Sequence, residues 1–161
     1  MQPVRIRRRY LGPAAVAIAA VLAAQPAVAA KGGCNTPKTH YRTTETSATT
    51  TSTEYVLLPK SRIVFRQRGD EPGCVVVRLS ALPRADYIME VRPVIDGSKT
   101  ATPASIQFEY DSPGYLSPRS FGFVFPKVAP GRHVLKFEWR TVSAPSHEAR
   151  MYGRTITVQH Q

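Results

Sequence analysis

The side chains of this 161-residue sequence that could do chemistry are few and far apart. His40, His133, His147 and His160 are its only histidines, and none sits within a recognisable hydrolase, zinc-protease, phosphate-cradling or dinucleotide-binding pattern. His40 and His160 fall near the ends of the chain, where the rigid support that a catalytic group needs is not expected. The stretch His147-Glu148-Ala149-Arg150-Met151 has the spacing of soft copper ligands. A blue-copper site also requires a cysteine just upstream of that histidine, and the sequence has none there. Asp70, Glu71, Asp96 and Asp111 lie in expected turns, where they could brace a calcium ion or simply bond to their own backbone, and the second reading is the better one. No two acids are placed like a glycosidase pair. No catalytic residue, metal or cofactor is expected, and the chain reads as noncatalytic.

The segment with the most binding chemistry is Asp111-Ser-Pro-Gly-Tyr-Leu-Ser-Pro-Arg119, entered through Tyr110. Long loops on a rigid scaffold are where recognition residues concentrate. Tyrosine rings can stack on sugar rings, and a guanidinium grips a carboxylate or phosphate through paired hydrogen bonds. Tyr110, Tyr115 and Arg119 are therefore the candidate binding residues. The competing reading is a proline-stiffened turn whose tyrosine covers the end of the fold.

The first thirty residues set the compartment. Arg5, Arg7, Arg8 and Arg9 precede an apolar run from Leu11 to Ala24, followed by the small-x-small signal Ala27-Val28-Ala29. That order is expected of a cleaved secretory signal peptide of bacterial type. Arg7-Arg8-Arg9-Tyr10-Leu11 is compatible with twin-arginine export as well as with the general route. The run is too short for a membrane span, so no transmembrane segment is expected in the mature chain. Lys31 stands where a lipid-attachment signal wants an apolar residue, three before Cys34. Setting aside the four arginines of residues 1–30 lowers the formal charge from +11 to +7. A basic exported chain meets anionic wall polymers, lipid headgroups or polysaccharide rather than nucleic acid. Cys34 and Cys74, the only cysteines, are expected to form one disulfide in such an oxidising compartment.

The body of the chain alternates with a period of two. Ile63 and Phe65 share a face, as do Phe121, Phe123 and Phe125, and Ile156 and Val158 near the end. Tyr87, Met89 and Val91 alternate against Ile88, Glu90 and Arg92 until the Asp96-Gly97 turn. Cys74 to Leu82 is almost continuously apolar and reads as a central strand packed on both sides. Pro130-Gly131 opens a stretch in which His133, Leu135, Phe137 and Trp139 oppose Val134, Lys136, Glu138 and Arg140, so Trp139 is expected in the core. Most of the fourteen prolines separate the apolar runs. Pro93 interrupts one, marking an edge or a bulge.

About eight short strands parted by Pro, Gly, Ser and Asp turns predict an all-β fold, a single antiparallel β-sandwich of jelly-roll or immunoglobulin-like type. Three parts are expected: the signal peptide 1–30, a loose N-terminal segment 31–53 carrying the run TTETSATTTST, and the sandwich 54–161.

The Val-Ile-Asp-Gly turn, the Pro130–Arg140 stretch and the terminal Arg154-Thr-Ile-Thr-Val158 together resemble a broad group of small secreted bacterial β-sandwich proteins. The likeness implies a fold and no site residue. The expected function is that of an exported noncatalytic binding or surface module for anionic or glycan-rich envelope polymers. The alternative is a structural or protein-interaction component of the envelope.

Overall fold

In a computed structural model, residues 34–109, 117–142 and 146–161 are described. They contain no helix and eleven strands: β1 (Lys38–Thr44), β2 (Ala48–Thr50), β3 (Val56–Leu57), β4 (Ile63–Gln67), β5 (Gly73–Ala85), β6 (Ile88–Ile95), β7 (Lys99–Thr100), β8 (Ile106–Glu109), β9 (Arg119–Val128), β10 (Gly131–Thr141) and β11 (Ala149–His160). A count near eight misses the two- and three-residue strands, which are too short to show a period. The residues expected as a signal peptide lie outside the described set.

The strands form two antiparallel sheets. The first runs β1-β11-β5-β9, with β2 also on β11; the second runs β3-β10-β6-β7, with β4 also on β10 and β8 also on β6. Their inner faces share one core. Phe123 of β9 meets Phe137 of β10 edge-on at 5.8 Å between ring centroids, and Phe108 of β8 meets Phe121 of β9 at 4.9 Å. Edge-to-face pairs of this kind add to the area that they bury.

β10 follows the pleat residue by residue. His133, Leu135, Phe137 and Trp139 point inward, and Trp139 is only 1% exposed. β5 departs from expectation. It lies between β11 and β9, yet Val75, Val77, Leu79 and Ala81 are buried while Val76, Arg78 and Ser80 are not. Central in its sheet, it has one dry face, because no further layer of described residues covers the other. Tyr87 departs too: it sits in the bend before β6 and is exposed, although its spacing sets it in phase with buried Met89 and Val91.

Pro93 lies in β6 opposite Phe137 of β10. On the other side of β6, β8 pairs with Ile88 to Val91 and β7 with Val94 and Ile95, which leaves a gap at Pro93. A residue without an N–H costs nothing in that gap. The β6–β7 hairpin turns on Asp96 and Gly97, with φ of 54° and 81°. Positive φ at both central residues is what a tight hairpin of matching twist needs. Asp96 also accepts the backbone N–H of Val134 at 2.9 Å and faces His133 Nδ1 at 2.6 Å, while His133 Nε2 faces the carbonyl of Ala129 at 2.8 Å. His133 thereby ties together two hairpin ends.

Residues 31–53, expected as a loose segment, contain β1 and β2. All seven residues of β1 pair with β11, from Lys38 opposite His160 to Thr44 opposite Arg154. Threonine suits an edge strand whose side chains stay wet. Cys34, just before β1, is bonded to Cys74 in β5, with 5.3 Å between Cα atoms. A bulge at Gly153 rephases β11 so that Arg154 turns inward and is 2% exposed. Its Nη1 donates to the carbonyl of Thr46 and its Nη2 to that of Pro59, at 3.0 and 2.6 Å. Burial holds this guanidinium below the usual arginine range.

Candidate functional site

Of the three expected binding residues, Tyr110 and Tyr115 lie outside the described set. Arg119 opens β9, is exposed, and borders a shallow, open cleft of about 320 Å³ on the outer side of the first sheet. Ser80 of β5, Ser120 of β9 and Thr155 of β11 line the same cleft. The β11 bulge makes room for it: nothing lies within 4 Å of where a Cβ on Gly153 would stand.

The cleft belongs to a row of hydroxyls that the register places across four strands. Thr43 is opposite Thr155, Thr155 opposite Ser80, and Ser80 opposite Ser120. Thr43 and Thr155 share a hydrogen bond of 3.0 Å, and Ser80 and Ser120 one of 2.9 Å. Each hydroxyl has one donor and two acceptor positions, so these pairs keep capacity for a ligand. The neighbouring row sets Tyr41, 75% exposed, opposite Thr157, then Arg78 opposite Gly122. Such a surface can offer neutral hydrogen bonds, a stacking ring and cationic donors. Among the described residues, the side chains lining the cleft include no carboxylate, imidazole or thiol.

Several groups with acid–base capacity lie elsewhere and are engaged. On the outer face of the second sheet, Glu90 pairs with Arg140 and Arg92 with Glu138, each at 2.7 Å. The ring of Tyr55 lies 3.7 Å from the Arg92 guanidinium and 4.5 Å from that of Arg140. Burial pushes the Glu90 carboxyl up, but bonds from Ser105, Arg140 and Tyr55 outweigh it and hold the group below its ordinary value. Burial, with Glu90 beside it, raises the Tyr55 phenol. The His147 to Met151 stretch does not converge: Met151 is in the core, whereas His147 stacks on exposed Tyr87.

One cluster escaped the sequence reading. Arg66 of β4 stands directly opposite Arg132 of β10, and both are exposed. Arg62, just before β4, and Lys136 of β10 are exposed beside them. The alternation put each on the wet side of its own strand, but no local signal paired two strands more than sixty residues apart in the chain.

Compared with known proteins, the chain matches no protein-family model and no curated sequence. Among the described residues, no helix is long and apolar enough to cross a membrane.

Proposed function

We propose that this protein is an exported, noncatalytic binding module for an anionic, glycan-rich polymer of the cell envelope, with residues 1–30 acting as a cleaved signal peptide. The observation that carries the reading is the hydroxyl-lined cleft bordered by Arg119. Serine and threonine hydroxyls match the donor and acceptor pattern of sugar hydroxyls, and Arg119 matches a sugar carboxylate or phosphate. Tyr110 and Tyr115, in the segment leading into Arg119, supply the stacking rings. The Cys34–Cys74 bond is compatible with an extracellular or periplasmic setting, and the +7 charge after signal removal favours an acidic polymer.

The mature domain is expected to be retained on isolated cell wall or acidic polysaccharide at low salt and released at high salt, because screening weakens charge-driven contacts. Arg119→Ala should weaken retention about tenfold, the loss of one charge-assisted bond. No salt-sensitive retention on any such polymer removes this reading.

A second reading, a structural envelope component that docks another chain, draws on β3. This edge strand leaves Val56 and Leu57 at 37% and 52% exposure, and sheet edges recruit partner strands. Recovery from the envelope with one stoichiometric protein favours it.

A further inference from the structure

We infer that the outer face of β4 and β10 is a second, separate anion site, built for phosphate oxygens on the cross-strand pair Arg66–Arg132. Directly opposed residues of an antiparallel pair have Cβ atoms about 5 Å apart, and like charges in that relation repel. Two other cations of this sheet face are compensated: Arg92 by Glu138 and Arg140 by Glu90. The Asp96 carboxylate near this end is taken by His133 and the Val134 amide. No ion pair among the described residues reaches Arg66 or Arg132. Arg62 and Lys136 add positive charge from the same two segments, and Val64 and Val134, registered opposite each other between the arginines and these flanking cations, give the patch an apolar floor.

The cost of opposing two guanidiniums is relieved by one ligand that bonds to both. Each guanidinium is a planar fork of donors that takes two oxygens side by side, and a tetrahedral phosphate presents enough oxygens for two forks. A carboxylate, with two oxygens, satisfies one. The pair therefore selects terminal phosphate groups, which keep three free oxygens, over carboxylates, whereas the cleft at Arg119 is matched to sugar hydroxyls with a single charge. This inference does not depend on the cleft, which lies on the other sheet.

The test uses inorganic phosphate and pyrophosphate as probes on the mature domain, at ionic strength matched with acetate. Both should raise the thermal midpoint, pyrophosphate more than phosphate, and acetate should not. Arg66→Gln with Arg132→Gln should weaken pyrophosphate binding at least tenfold. In the absence of phosphate the same variant should melt no lower than the native chain, since it removes a repulsion. Arg119→Ala should leave the phosphate response intact, which separates failure of this site from failure of the cleft. An equal response in native and doubly substituted chains, or a lower midpoint for the variant without phosphate, overturns the inference. Retention on phosphatidic acid vesicles, whose headgroup is a terminal phosphate, assigns the phosphate to a lipid headgroup, and retention on soluble polyphosphate assigns it to a polymer.

Discussion

His160 couples the fold to pH. It is 1% exposed; its ring stacks on His40 at 5.0 Å and lies tilted against Phe65 at 5.1 Å. Nδ1 faces the Gln161 carbonyl at 2.5 Å, so the proton of the neutral ring belongs there, and Nε2 is buried with no partner. Burial lowers its affinity for a proton; the Gln161 carbonyl opposes this, and His40, Lys38 and Arg68 reinforce it. The unfolded chain therefore takes up the proton first. Stability is fully present above the ordinary value of 6.5 and is lost as pH falls below it. Asp96 and Glu90, both held below their ordinary values, extend the loss as pH falls past 3.8 and 4.5 respectively. Chemical unfolding from about pH 8 down to about pH 5 should show a declining midpoint, and His160→Phe should flatten that decline. A variant that tracks the native chain across the range would assign the effect to another group. Position near the C-terminus suggested a mobile histidine; β11 lies between β1 and β5, and that burial is a long-range outcome.

β10 is the element that the sequence describes best and the one that binds the second sheet together. It pairs with β3 and β4 along one edge and with β6 along the other. Its inward side chains carry the largest buried ring, that of Trp139. Trp139→Ala should cost about 3–5 kcal/mol by denaturant unfolding, as truncation of a packed aromatic does. Because Trp139 is the sole tryptophan, the measurement needs circular dichroism rather than its fluorescence. A cost near zero would place the ring outside the core. The stripe was legible because alternation over eleven residues is a local property of one strand. The one-sided burial of β5 was not, since a run of valines looks the same whether one face or two are covered.

The whole molecule depends on how its N-terminal segment is secured. β1 contributes edge pairing to β11, and the Cys34–Cys74 bond fastens the chain just before it across a separation of 40 residues. Closing a loop of that length in the unfolded chain stabilises the fold by about 4 kcal/mol on the chain-entropy account. Replacing both cysteines by serine should lower the unfolding free energy by that order and reduce hydrogen-exchange protection of the β1 amides before that of β5. An unchanged midpoint would show that β1 is held by its ladder alone. At this scale the two outer faces also divide the work proposed for them: hydroxyls, Tyr41 and Arg119 on one sheet, and the opposed arginines on the other.

Alternation, turn residues and the two cysteines determined on their own that the described residues are all-β, that Leu135, Phe137 and Trp139 are dry, and that Cys34 meets Cys74, because each follows from local geometry or simple counting. Which strands became neighbours, and so which side chains met across them, only the tertiary structure decided. Arg66 faces Arg132, Ser80 faces Ser120 and His40 stacks on His160 through pairings between distant segments. The energy that selects those pairings is shared over the whole core, so it leaves no trace in any single stretch of sequence.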